Sequence, residues 1–445
     1  MQDGSHWGLH PQGFKFLQNL VEKYSSSMHA VREMEKDLIR KTSTRLFDWI
    51  DHVLVPWSWV DESDLDDAGF FKESVRIAGM ELVKATNDNS TFFPLFLTDL
   101  DIGRLYLKVE NIEHIASIHD RMEDIEGQRW APRRKLIIKT SDNLSLGAIE
   151  RNGYDGYEIP ELDDEPFYSD LLRNFTARKR EGLEEDRFSE LEEMIEKGVS
   201  SIGKNRTADA FFRSERRYWE RRNGSGRIQL GRQNSLGLGW GNHDHHTFRC
   251  SRKNFRRGIE TLEKIGMKPR ERFYAGEQAG WGAQVMEHHV CGISVFADVD
   301  LTPDEKAGDF AHEDLGSLED LGTVGLWVGL HGESMLTAGL HHLAARVDFS
   351  RMMRDSPSAG IEEMTPFSSF PYLKQCFSFG ERWDIDKERA RYLQRNGSID
   401  MEQMNRFISK GGLGSHIEFI ERNEGFKGFN RSAVSDIIER TDPRK

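Results

Sequence analysis

Two segments of this 445-residue chain carry one pattern: LGAIERNGYDGYE, opening at Leu146, and IEFIERNEGFKGF, opening at Ile417. With Ile149 laid on Ile420, both read Ile-Glu-Arg-Asn and then two glycines interleaved with aromatics, at an offset of 271 residues. Solenoid and propeller repeats recur every ~20–50 residues, so this spacing predicts a duplicated domain. Chain length agrees, because 445 residues exceed what one hydrophobic core holds and point to two or three domains.

The strand and helix signals around each copy follow one plan. WIDHVLVPW reads as a strand, followed by an acidic stretch, a helix around Phe70, Phe71 and Val75, and the apolar run FFPLFL. RLYLKV opens a second unit, with a helix through Ile112, Ile115 and His119 and the strands KLIIKT and LSLGAIER behind it. In the second half DHHTFRC precedes a helix bearing Phe255, Ile259 and Leu262, which ends at Gly266. GAQVMEHHV, GISVFADVDL and TVGLWVGL read as strands, HHLAARV opens another unit and SHIEFIER closes it. The expected fold is α+β: duplicated βαβββ modules forming two domains joined by a helical connector. The divisions expected are an N-terminal helical segment (1–45), a first domain (46–158), the connector (159–225) and a second domain (226–445). Leu191, Met194, Ile195 and Val199 form the connector's apolar stripe, and its charge runs are read as solvated faces. GRQNSLGLGWGN reads as a turn: no Lys-Ser/Thr follows its glycines, as a phosphate loop requires.

Composition narrows the function. Lys and Arg total 61 against 75 Asp and Glu, a net charge of −14, which disfavours nucleic acid and anionic membranes as partners. No apolar run reaches the ~18 residues of a membrane span, and MQDGSHWGLH lacks the pattern of a signal sequence. Cys250, Cys291 and Cys376 are too few and too scattered for a disulfide framework. A cytoplasmic location is the expectation; oligomeric state stays open, with a homodimer allowed.

Three strands of the second half offer metal ligands: His245, His342 and Glu418, spaced 97 and 76 residues apart, so only the fold can bring them together. Side chains alternate along a strand, so His245 shares a face with Thr247 and Arg249, His342 with Arg346, and Glu418 with His416 and Arg422. Two imidazoles and one carboxylate leave a divalent ion with residual charge and open positions, the facial set of non-haem Fe(II) oxygen chemistry. An arginine four residues along a strand, about 13 Å away, suits a substrate's distal carboxylate. His288, His289 and His331 are rival ligands, and His243 beside Asp244 reads equally well as a surface turn. In the first half the positions matching His245, His342 and Glu418 hold His52, Arg104 and Gly147, so that half should be metal-free.

These residues resemble the vicinal oxygen chelate superfamily, whose βαβββ modules pair into open barrels around one metal. The closing segment, with Glu418, Glu421, Arg422, Gly425, Phe426, Gly428 and Phe429, looks like the end of 4-hydroxyphenylpyruvate dioxygenase. The earlier strands are more similar to the 2-oxoadipate dioxygenase/decarboxylase family. That likeness rests on His245 and Arg249, then Gly266, Met267 and Pro269, Phe273 and Tyr274, Gln278, Ala279 and Gly280, and finally His342, Leu343 and Arg346. It spans roughly residues 240–440, departs at Trp281-Gly282, and has no counterpart for the acidic insert at 302–322.

The resemblance implies Fe(II), with Mn or Zn as alternatives, held by His245, His342 and Glu418. It implies O2 and a 2-oxo acid, 2-oxoadipate- or arylpyruvate-like, that is decarboxylated oxidatively and then hydroxylated. Arg249 would hold the distal carboxylate, Arg346 would be a second anchor or a partner of Glu418, and Gln278 and His289 would line the pocket. Two alternatives compete: a ring-cleaving (extradiol-type) dioxygenase or metal-dependent isomerase on the same fold, and a metal-free small-ligand-binding protein. A hydrolase built on Ser334 in LHGES is weaker, since the GxSxG elbow is absent.

Overall fold

The duplication reappears as strand order. The computed structural model describes residues 7–160, 162, 164–276, 279–430 and 441–444. Its first half begins with helices α1 (Pro11–Ser27) and α2 (His29–Asp37), separated by an extended Met28. β1 (Ile50–Pro56), α3 (Glu62–Asp67), β2 (Phe71–Ile77), β3 (Met80–Thr86) and β4 (Leu95–Thr98) form a βαβββ module. β5 (Gly103–Val109), α4 (Ile112–Ile118), β6 (Arg133–Ser141) and β7 (Leu144–Arg151) form a second module, whose remaining strand is shortened to the antiparallel bridge Glu126–Lys135. Helices α5 (Glu165–Ala177), α6 (Glu184–Glu220) and α7 (Gly224–Asn234) follow.

The second half holds β8 (His243–Arg249), α8 (Phe255–Lys264), β9 (Lys268–Tyr274), β10 (Trp281–His288) and β11 (Ile293–Asp300). After α9 (Thr323–His331) come β12 (His342–Arg346), α10 (Phe349–Ala359), β13 (Ser368–Phe370) and β14 (Leu373–Phe377). An excursion of β15 (Arg382–Trp383), α11 (Lys387–Arg395), α12 (Met401–Lys410) and β16 (Gly412–Leu413) precedes the last strand, β17 (His416–Arg422).

The first sheet has the order β2-β3-β4-β1-β5-β7-β6 and the second β13-β14-β17-β12-β8-β11-β10-β9, both open. Superposed in order, β1 matches β8, β5 matches β12, β7 matches β17 and β6 matches β14. Each central pair, β1/β5 and β8/β12, is antiparallel and flanked by parallel partners. The registers coincide residue by residue. Leu54 faces Arg104 as Thr247 faces His342, and Tyr106 faces Gly147 as Ala344 faces Glu418.

Three local readings are corrected. Phe71 and Val75 lie on strand β2, not a helix: Ala78 and Gly79, with φ of 50° and 81°, close a two-residue hairpin that pairs β2 with β3. TVGLWVGL is helix α9, because a short buried apolar run has no period that separates strand from helix. Its first turn is fixed from outside, by the Asp300 carboxylate accepting the Val324 and Gly325 amides at 3.0 and 2.8 Å. The charge runs of α6 are solvated only in part. The helix breaks at Gly203 (φ 77°), and beyond it Arg206, Arg213, Glu215 and Arg216 are buried.

That buried stretch ties the halves together. Arg213 donates to Asp209, to Asn152 Oδ1 and to the carbonyls of Glu110 and Arg151, while Arg216 reaches the Glu110 carboxylate at 3.1 Å. Among the described residues no helix is long and apolar enough to cross a membrane. Residues 302–322 are tied to the second half. Glu305 pairs with Arg252, Asp309 with Arg272, and Phe310 enters the main core. Replacing Arg213 by Met should cost about 3–5 kcal/mol, since it strands Asp209 and several carbonyls in the interior. Urea denaturation followed by tryptophan fluorescence would read this as a lower midpoint at unchanged slope.

Candidate metal centre

Alternation along β8 puts His245, Thr247 and Arg249 on one wall of a cavity of about 90 Å³, and His342 and Glu418 enter it from β12 and β17. Phe273, Trp281, Phe296, Phe377 and Phe429 complete a largely aromatic enclosure. His246 points away and packs on Phe212 at a ring separation of 5.3 Å. The structure therefore brings together the three residues picked out by strand position.

Glu418 Oε2 is 3.2 Å from both His245 Nε2 and His342 Nε2, and the two nitrogens are 3.3 Å apart. An ion about 2.1 Å from each atom, the usual length for His nitrogen and carboxylate oxygen, would see three mutually adjacent ligands with the opposite side open. For His245 the surroundings set the tautomer this needs. His245 Nδ1 lies 3.0 Å from the Asp244 carboxylate, which accepts its proton and leaves Nε2 with a lone pair. His342 Nδ1 faces His341 Nδ1 at 3.4 Å, while the Thr247 hydroxyl sits 2.8 Å from His342 Nε2. Gln375 holds the other oxygen of Glu418, donating to Oε1 at 2.8 Å.

Electrostatics describe the same cluster. Burial alone would lower His245, but Glu418 and Asp244 on either side raise it to about 9. Burial lowers His342 to about 4, with Glu418 opposing. Burial would raise Glu418, yet the two imidazoles hold it below the ordinary carboxylate range. Without an ion, then, His245 carries the proton that balances Glu418, and a divalent cation would take that proton's place. His341, His342 and His416 form a second cluster of nitrogens, but His342 spends its Nδ1 side there and its Nε2 side on Glu418.

Arg249 lies deep in the same cavity, 2% exposed, with Nε and Nη1 lacking a hydrogen-bond partner among the described residues and its guanidinium over the Trp327 ring. Its cross-strand neighbour Asp298 is also buried, with Oδ1 unpartnered, and burial raises its carboxyl to about 7 against the pull of Arg249. A buried guanidinium with spare donors is a ready receptor for an anion's oxygens.

Other expectations are corrected. Arg346 touches neither Glu418 nor this cavity; its Nε donates to Asp244 Oδ2 at 2.9 Å, and it lines a separate cavity of about 380 Å³ between the halves. The cause is strand direction. β8 runs antiparallel to β12, and β12 parallel to β17, so four residues onward leads Arg249 to one end and Arg346 and Arg422 to the other. His289 is exposed and lines that second cavity near Glu287. Gln278 lies outside the described residues. His288 Nε2 is engaged by the Ile265 carbonyl and His331 Nε2 by the Leu413 carbonyl, away from the cluster. Ser334 is a structural contact, accepting the Arg249 amide at 2.8 Å.

Asp244, read from sequence as part of a surface turn, is the residue that reading missed most. It is buried, and Arg422 (2.8 and 2.9 Å) and Arg346 grip it from behind while it orients His245. Burial would raise its carboxyl, but the two guanidiniums hold it well below the usual range. Only adjacency to His245 hinted at it. Gln375 had no sequence signal, whereas Thr247 followed from period-two alternation and Phe429 from the closing glycine-aromatic run.

No protein-family model matches the chain, and no curated protein matches it either. Among solved structures, a provisionally assigned hydrolase from Shewanella frigidimarina NCIMB 400 is 13% identical, over 48% of this chain and 92% of its own, with a TM-score of 0.33. A variant of 4-hydroxymandelate synthase from Streptomyces coelicolor is 12% identical, over 88% of this chain and 98% of its own, with a TM-score of 0.30. A xylose isomerase-like TIM barrel/4-hydroxyphenylpyruvate dioxygenase fusion protein is 10% identical, over 90% of this chain and 52% of its own, with a TM-score of 0.23.

Asp244→Asn should remove the charge that two buried guanidiniums and His245 share. A loss of about 3–5 kcal/mol is expected, because the remaining cations stay buried without a counter-charge. Thermal unfolding monitored by circular dichroism measures it.

Proposed function

We propose that this chain is a non-haem Fe(II) dioxygenase that oxidatively decarboxylates a short 2-oxo acid and hydroxylates the shortened product. The observation that carries this reading is one enclosure holding two imidazole nitrogens and a carboxylate oxygen 3.2–3.3 Å apart together with an unpartnered guanidinium. Fe(II) bound by His245, His342 and Glu418 would supply the Lewis acidity that chelates a 2-oxo acid and the redox electrons that O2 requires.

The protein's own groups do the rest. Asp244 keeps the His245 Nδ1 proton in place, and Gln375 restrains Glu418, so the three donors stay aimed at one point. Arg249 takes the distal carboxylate of the substrate on its free Nε–H and Nη1–H, which fixes the end that does not react. The aromatic walls exclude water around the reacting end. At about 90 Å³ the cavity is far smaller than the ~300–1,000 Å³ of sites for drug-sized ligands, which favours a short aliphatic diacid over an arylpyruvate.

Protein purified without added metal or chelator should contain iron and consume O2 when given short 2-oxo diacids. His342→Ala should lose the iron and at least about 100-fold in turnover, as removal of one of three ligands implies. Undiminished O2 uptake in that variant would refute the assignment, and catechol cleavage without 2-oxo acid oxidation would move it to the ring-cleaving class.

Asp298 adds a pH dependence. Below about 7 its carboxyl is neutral and leaves Arg249 to the substrate; above that it ionises and competes for the same guanidinium. KM for a 2-oxo diacid should therefore rise as pH passes through about 7, with kcat less affected, and Asp298→Asn should flatten that rise. Initial-rate kinetics across pH in both proteins test it.

A further inference from the structure

The first half keeps the architecture around its counterpart cavity but exchanges the ligands for fixed cations. His52 stands at the register of His245, Arg104 at that of His342, Gly147 at that of Glu418, and Lys135 at that of Gln375. No side chain can return at Gly147, where a Cβ would meet the Tyr106 ring at 2.6 Å and the Leu136 carbonyl at 2.7 Å. The support behind the histidine is nevertheless retained. Asp51 accepts from His52 Nδ1, and Arg151 grips Asp51 at 2.7 and 2.9 Å, as Arg422 grips Asp244.

A cavity of about 70 Å³ lies at this point, lined by His52, Arg104, Arg133 and Lys135 and, among the described residues, by no carboxylate. Arg133 is 4% exposed, its Nε has no partner, and neither Arg133 nor Arg104 makes an ion pair or side-chain hydrogen bond with a described residue. Lys135 alone is neutralised, by Glu126 at 2.8 Å. A buried guanidinium and a half-buried one, neither ion-paired among the described residues, face one small enclosure that an anion's oxygens would suit. The facing wall is apolar, formed by Leu54, Leu82 and Phe96.

We propose that this cavity is a second binding site, specific for a short aliphatic carboxylate whose oxygens meet Arg104 and Arg133 and whose tail lies on Leu54, Leu82 and Phe96. Free phosphate has the charge but no tail to cover that wall, so it should bind more weakly. The assignment is independent of the metal chemistry of the second half, since it uses none of the same residues.

Isothermal titration of the full chain with butyrate, in the presence of a chelator, tests it, with inorganic phosphate as the second arm. In Arg249→Met, which removes the carboxylate receptor of the second half's cavity, the expected result is one saturable butyrate site, tighter than any phosphate binding. Arg104→Gln should weaken it about tenfold or more, the loss typical of a charge-assisted hydrogen bond. If Arg104→Gln fails to fold, Lys135→Met should still weaken butyrate measurably, because it leaves the Glu126 carboxylate unpaired beside the site. Absence of saturable butyrate binding, phosphate binding more tightly than butyrate, or loss of binding in Arg249→Met but not in Arg104→Gln would each overturn the proposal.

Discussion

A buried carboxylate gripped by a strand-end arginine organises both halves of this molecule. In the second half Asp244 joins β8 to β17 through Arg422 and, by accepting the His245 Nδ1 proton, decides which nitrogen faces the cavity. Such a group is expensive to bury and worthwhile only when fully paired. Its pairing is complete, with Arg422, Arg346 and His245 all on one carboxylate. Because Asp244 lines the inter-half cavity while His245 lines the aromatic cavity of the second half, the pair forms part of the wall between them.

The metal-ligand geometry rests on that wall. The His245–Glu418 contact is attractive, but convergence of all three atoms to 3.2–3.3 Å also needs each side chain held from behind. Each has such a support: Asp244 behind His245, His341 beside His342, and Gln375 on Glu418. A proton on His245 balances the cluster when no ion is bound, so the site presents neither a bare carboxylate nor a cationic pair of imidazoles.

Much of this was legible in the sequence because strand alternation is a strict period of two. Once HHTFR, HLAAR and IEFIER are read as strands, the faces of His245, His342 and Glu418 follow, and the Ile149–Ile420 alignment carries the register into the first half. Strand direction is not written in such a pattern. Arg249, Arg346 and Arg422 each stand four residues beyond His245, His342 or Glu418, yet antiparallel pairing sends the first to the cavity those residues line and the others to Asp244. Helix α9 escaped because its N-terminus is capped by Asp300 from a different element. The buried arginines of α6 escaped because their partners, Glu110 and Asn152, are supplied by the first half. Composition alone shows a charged helix, and only tertiary pairing makes it an interior one.

Comparing the halves separates what the fold needs from what the chemistry needs. Asp51 and Arg151 persist in the first half although Gly147 and Arg104 have removed any metal-ligand set there. The aspartate–arginine clamp is therefore first a device for closing the sheet: it pairs the ends of β1 and β7, as its twin pairs β8 and β17. Orienting a histidine is a further consequence, and only in the second half does that histidine meet a second imidazole and a carboxylate. Ligand identity then changes the sign of the problem. With Glu418 the second half's cavity has a carboxylate beside its histidines; with Gly147, Arg104 and Lys135 at the matching registers, the first half's cavity is lined by cationic side chains and, among the described residues, by no carboxylate. One scaffold thus supports opposite electrostatic solutions, because its rigid part lies behind the ligands and not among them.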